Sequence, residues 1–211
     1  MKRIKRPDQV MWIVYGIGTL IIVASALILP RVLLKEHPIK PPSTIGGSTF
    51  DVPDSSANDQ SSVQFATSFG SAADHFTARF PEYPKTKNST LPINGGTATI
   101  HDYSVNSGAA SYSVQVVNYP SNLDMSDKDA RLKAAVDGAA KATSATVESS
   151  QLGTFGGERS IESITRVTVN GQMFHNYALS VLKGHTLYLV VAIHSNQADF
   201  TAFKRAFHLS Q

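Results

Sequence analysis

Residues 10–29 form an unbroken apolar run without a single charge, preceded by Lys2, Arg3, Lys5 and Arg6. A helix rises about 1.5 Å per residue, so a run of this length reaches about 30 Å, the thickness of a bilayer's hydrocarbon core. Trp12 and Tyr15 lie towards its basic end, where amphipathic rings settle at headgroup level. The cations hold that end in the cytoplasm by the positive-inside bias. The expected organisation is therefore a basic cytoplasmic tail over 1–9, a single-pass transmembrane helix over 10–34, and an extracytoplasmic remainder. A cleaved signal peptide is the rival reading, because Ala24-Ser25-Ala26 has the small residues of a cleavage site. Cutting after Ala26 leaves Leu27, Ile28 and Leu29 as a greasy new N-terminus, which favours the anchor.

The formal net charge is +3, but its distribution reverses the impression of a basic protein. Residues 1–40 hold seven Lys/Arg against two Asp/Glu, whereas residues 41–211 hold twelve against fourteen. The part beyond the membrane thus lacks the cationic footprint that a phosphate backbone requires, which argues against nucleic acid as a partner. The chain has no cysteine. Disulfides, thiol catalysis and thiolate metal sites are excluded, and the outer domain must be held by its core alone.

Residues 35–72 are rich in Pro, Ser, Thr, Gly, Asn and Asp. Such composition offers too little apolar surface to offset the entropy of ordering, so this segment reads as a disordered linker. The alternative is that Val63, Phe65 and Phe69 add a short element to the domain edge. The domain itself is expected over 73–211.

A short strand is expected over 75–80, stopped by Pro81, with Pro84 preventing its resumption. Asn94-Gly95 gives a tight turn before strands over 97–105 and 111–119. Ser126 fits a helix N-cap, and Leu132, Ala135, Val136, Ala139 and Ala142 recur at helical spacing after it. Residues 146–152 and a Gly-rich bend at 153–157 lead into a three-stranded meander. Asn170-Gly171 and Lys183-Gly184 are its expected hairpin turns. Its last strand, 187–193, is apolar at every position, as when both sheet faces are covered. A final helix starts near Ser195 or Asn196 and buries Phe200, Phe203 and Phe207. The expected fold class is α/β (α+β), an antiparallel sheet flanked by helices.

This order of elements, with Phe80-Pro81 ending the first strand, Gly156-Gly157 before the meander and Phe203…Phe207-His208-Leu209 at the end, resembles the PsbP-like fold. That fold comprises the extrinsic photosystem II subunit family, Ran-binding nuclear transport relatives and bacterial envelope proteins. The resemblance covers about residues 74–211 and implies an α/β/α sandwich acting as a binding or assembly module. It does not imply a photosynthetic role.

No zinc-protease, nucleophile-elbow, phosphate-loop or EF-hand motif is present, and no cofactor is expected. Gly153, Gly156 and Gly157 precede a strand rather than opening a helix, so they read as a bend. His101-Asp102 offers an imidazole beside a carboxylate, although no nucleophile is placed by sequence. Taking both turns literally sets His175 beside Arg166 on one neighbour and Ala192 on the other, with His194 diagonal to it. Tyr177 and Tyr188 fall on the same face, and Val167, Phe174, Ala178, Leu187, Leu189, Val191 and Ile193 on the opposite, drier one. Arg166, His175, Tyr177, Tyr188 and His194 are thus candidates for a groove that takes an anionic ligand or partner segment. Two imidazoles without a third ligand hold a metal only weakly. The alternative places these groups at the sheet's end, hydrogen-bonded to backbone or water. A one-residue bulge separates the set altogether.

These features lead to a non-enzymatic, membrane-anchored extracytoplasmic module that binds another envelope protein or a small ligand. An envelope hydrolase with a His-based site and a structural spacer are the alternatives.

Overall fold

The computed structural model describes residues 61–210 except residues 94 and 170. The expected cytoplasmic tail, transmembrane helix and first part of the linker, to residue 60, lie outside the described residues. No helix among the described residues is long and apolar enough to cross a membrane.

The elements run β1 (Thr67–Ser71), β2 (Phe76–Phe80), β3 (Lys85–Ile93), β4 (Gly96–Ser107), β5 (Ala110–Asn118), α1 (Lys128–Thr143), β6 (Thr146–Phe155), β7 (Glu158–Val169), β8 (Gln172–Lys183), β9 (Thr186–Ile193), α2 (Gln197–Arg205) and β10 (His208–Leu209). Seven strands form one antiparallel sheet in the order β3-β4-β5-β9-β8-β7-β6, and β1-β2-β10 form a second, small one. The continuous apolar pattern of β9 is explained by its central place, with β5 and β8 as neighbours and packing on both faces.

One face carries α1, whose Leu132, Ala135 and Val136 share a core with Leu187, Leu189 and Val191 of β9. Its alanine-rich stripe lets the helix backbone lie close on the sheet. The N-cap is Asp127, one residue after the expected Ser126, and its carboxylate accepts from the Ala130 N–H at 2.9 Å. Ser126 instead donates its N–H to Asp124. A bidentate pair from Arg159 to Asp129, at 2.8 and 2.7 Å, ties the first turn of α1 to β7.

The other face carries the larger aromatic core: Phe76, Phe80, Phe200, Phe203 and Phe207 are at most 2% exposed, against Tyr112, Tyr177 and Tyr188. Each such ring contributes about 2–3 kcal/mol by leaving water. Here the expectation of a sheet flanked only by helices is corrected. The nine residues of α2 are too few to cover seven strands, and the small sheet β1-β2-β10 completes the layer. Phe207 lies past the end of α2 yet stays fully buried, and His208 and Leu209 form a strand on β2.

Residues 61–72, assigned to the linker by composition, belong to this layer. β1 pairs with β2 from Thr67–Phe80 to Ser71–Phe76. Phe65 stacks on Phe203 at 5.4 Å and meets Tyr112 edge-on at 5.0 Å. Ser61, Ser62 and Val63 are lashed to α2 through the buried carboxylate of Asp199, which accepts from Ser61 Oγ and the Ser62 N–H at 2.7 Å each and from the Val63 N–H at 3.2 Å. Three apolar side chains among polar ones are enough once a waiting aromatic surface receives them. Pro84 does not prevent a strand either: β3 follows at once, a polar edge strand paired with β4.

Candidate functional site

Arg166 pairs with His175 across β7 and β8, the register that a two-residue turn at 170–171 dictates. The next turn departs from expectation. Lys183 pairs with Thr186, so Gly184, at φ 57°, and His185 make the loop in place of Lys183-Gly184. A loop displaced by one residue slides β9 by two against β8, and Ala192 faces Tyr177 rather than His175. His194 lies beyond the last pair, Asn176 with Ile193, and leaves the strand at φ 53°. Its ring stacks on Phe174 with centroids 3.9 Å apart, and its backbone N–H donates to Asn176 Oδ1 at 3.4 Å. Burial pushes its pKa below the ordinary imidazole value.

Tyr177 and Tyr188 share the face of Arg166 and His175, as alternation requires, but they do not frame an open groove. Tyr177 is 9% exposed and stacks on Phe200; Tyr188 is 2% exposed and lies against Phe207. Desolvation raises both phenol pKa values. The expected mixed face is therefore filled by α2 and the small sheet. Of the five candidates, the structure brings Arg166 and His175 together, buries Tyr177 and Tyr188 behind them, and sets His194 on Phe174.

What stays open is the end of the sheet. The β6 ladder on β7 stops at Thr146 with Arg166, and the β9 ladder on β8 stops at Ile193 with Asn176. β7 and β8 go on pairing to Val169 with Gln172. Residues 167–169 and 172–175 therefore form a two-stranded ribbon that passes both neighbours. Met173 is 59% exposed on it.

A bulge builds the base of this ribbon. The β6–β7 register shifts between Val147 and Ser149, leaving Glu148 as the extra residue. Bulges re-aim a side chain at a sheet edge. Here Glu148 reaches Arg166 Nε at 3.3 Å and His175 Nε2 at 3.1 Å. The Arg166 and His175 side chains are each 42% exposed and that of Glu148 32%. Arg166 Nη1 also faces Met173 Sδ at 3.7 Å. The bulge feared to separate the set instead supplies its carboxylate, and nothing in Thr146-Val147-Glu148-Ser149 announces it. Chemically, one carboxylate between a guanidinium and an imidazole is close to neutral, with spare N–H donors at the rim. Among the described residues no group of three His, Cys, Asp or Glu is placed to hold a metal.

His101 does find a carboxylate, but not the neighbouring one. Successive strand residues point to opposite faces, so Asp102 turns away from it. Asp102 accepts from Ser104 Oγ at 3.0 Å, and its pKa is raised by burial. The partner of His101 is Asp74, in the turn between β1 and β2, which accepts from Nδ1 at 2.7 Å. Tyr103 and Ser71 donate to the same carboxylate, which is 3% exposed. The residues that build this network come from two separate segments, the β1–β2 turn and β4, and no local motif links them.

No protein-family model matches the sequence, and a search of the curated proteins finds no match. Among solved structures, the chain is similar to cyanobacterial PsbP (CyanoP) from Synechocystis sp. PCC 6803, with 14% identity and a TM-score of 0.45 over 68% of this chain and 91% of that one. It is also similar to PA94 from Pseudomonas aeruginosa, a protein of unknown function, with 12% identity and a TM-score of 0.32 over 66% of this chain and 89% of that one. Neither lends a residue role to this chain.

Proposed function

We propose that this chain is a non-enzymatic binding or assembly module, held at the cytoplasmic membrane by residues 10–34 with its domain on the outer side. The β7–β8 ribbon is its contact element for another envelope component. The observation that carries this reading is the ribbon's projection past β6 and β9 with Met173 exposed on it. A ribbon of this kind offers outer edges for strand addition by a partner segment. Methionine supplies an adaptable apolar contact, while Arg166 and His175 at the base supply polar donors. The apolar run 10–29 supports the membrane anchorage, and a linker behind it raises the local concentration of the domain near its partner.

The test is co-purification from crosslinked membranes with the full chain. Wild type retains a discrete envelope protein that Met173→Asp loses, while circular dichroism of the two chains superimposes. Identical retention by both refutes the reading.

One observation favours the hydrolase as a second reading: Asp74 fixes the His101 imidazole by Nδ1, the orientation of a general base. It predicts ester hydrolysis by the full chain that His101→Gln abolishes. Equal rates for the two chains dismiss it.

A further inference from the structure

A second concavity lies apart from the ribbon, between α2 and the outer face of the small sheet, with a volume of about 580 Å³. That is within the range of small-molecule sites. Val63 and Phe65 give it an apolar side, and the small side chain of Ala202 leaves the space on the α2 wall. Its charged and titratable lining consists of Arg79 from β2, Arg205 from the last turn of α2 and His208 from β10, with no carboxylate among the lining residues. The wall is firmly set. Asp199 pins residues 61–63 to α2, and Phe65 is wedged between Tyr112 and Phe203.

The two arginines differ from the rest of the domain. Arg159 and Arg166 have carboxylate partners, and Arg131 donates to the Asp124 carbonyl. Neither Arg79 nor Arg205 has an ion-pair or hydrogen-bond partner among the described residues. Lys204, next to Arg205, is paired with Glu162 at 2.8 Å and so leaves no spare carboxylate there. Two guanidiniums without an acceptor, beside an apolar wall, match a ligand with an anionic head and a short apolar body. Guanidinium forks bind carboxylate and phosphate oxygens in pairs.

We propose that the groove between β2 and α2 is a binding site for a small organic anion, a phosphate or carboxylate carried on an apolar group, with Arg79 and Arg205 holding the head and Val63 and Phe65 the body. The phosphate version has two sources, a free organic phosphate or the headgroup of an anionic lipid, and soluble probes separate them.

The experiment is calorimetric titration of the full chain with hexyl phosphate, hexanoate, dihexanoylphosphatidylglycerol, hexanol and inorganic phosphate. At least one of the first three binds, and which one names the source. Hexanol and inorganic phosphate bind at least about tenfold more weakly. Arg79→Gln and Arg205→Gln each weaken the bound probe on the order of tenfold. Ala202→Leu, which keeps both charges and fills the space, weakens it as well. Lys85→Gln, on the exposed edge strand β3, leaves it unchanged. Circular dichroism confirms that each variant retains the wild-type fold. The proposal is overturned if none of the three probes binds, if both arginine variants bind like wild type, or if inorganic phosphate binds as tightly as the best probe.

Discussion

Asp74 and His101, 27 residues apart in sequence, meet at 2.7 Å, and the Asp74 carboxylate, which also accepts from Tyr103, is almost wholly out of water. Through this contact the β1–β2 turn is bolted to β4, and with it the small sheet to the large one. Asp74→Ala removes the acceptor shared by His101, Tyr103 and Ser71, leaving Tyr103 only its second bond to Ser71. The loss is expected to be about 3 kcal/mol in urea unfolding of the full chain. His101→Gln, which keeps a donor near the carboxylate, should cost only about 1 kcal/mol. Equal small effects of both would show that the network does not hold the layers together.

Asp199 fastens residues 61–63 in a comparable way. Burial favours its neutral form, but the hydrogen bonds from Ser61, Ser62 and Val63 outweigh burial and hold the carboxyl below its ordinary value of 3.8. A depressed folded-state pKa means stability that is complete above the unfolded value and lost as pH falls through the folded one. Wild type should therefore lose melting temperature below about pH 4 more steeply than Asp199→Asn. At neutral pH Asp199→Ala should cost about 2–3 kcal/mol, because several backbone and hydroxyl donors lose their acceptor together.

His194 makes the ribbon sensitive to milder acid. Burial against Phe174 favours the neutral ring and depresses its pKa below 6.5. The unfolded state then binds the proton first, so stability is complete above about pH 6.5 and declines below it. Glu148, Arg166 and His175 lie at the same ribbon base, so the readout must be local. Amide protection factors at residues 172–176, which remove the intrinsic pH dependence of exchange, should fall between about pH 7 and pH 5 in wild type and much less in His194→Phe. A flat profile in wild type would exclude this role.

The ion pairs of Glu148 are half-exposed and should matter little for stability. Glu148→Gln is expected to change unfolding free energy by less than about 1 kcal/mol. Retention of the partner on crosslinked membranes should nevertheless fall, because Arg166 and His175 lose the carboxylate that orients them. A large stability loss would instead assign Glu148 to the fold.

The legible parts of the chain are those governed by local rules. The all-apolar β9, the alanine stripe of α1 and the turn at 170–171 placed the sheet's centre, its helical cover and the Arg166–His175 pair. The β8–β9 turn was misplaced by one residue because Lys183-Gly184 and Gly184-His185 suit a two-residue loop about equally well in composition. That displacement moved Ala192 opposite Tyr177. β3 has no signature in the sequence because Lys85–Ile93 is an exposed edge strand whose pairing with β4, not its own pattern, holds it in place. The partnerships of Asp74 with His101 and of Asp199 with residues 61–63 depend on tertiary packing across large separations, which no periodicity encodes. The Glu148 bulge likewise has no compositional mark, and with it the polar part of the candidate site remained incomplete.

The central claim is that the β7–β8 ribbon touches a partner. A photocrosslinking amino acid placed at Met173 in the full chain, in living cells, tests it most directly, with Tyr83, more exposed still at 72%, as the control position. One discrete adduct is expected from position 173, absent from position 83 and diminished by Glu148→Gln. No adduct at 173, or the same adducts from both positions, would contradict it.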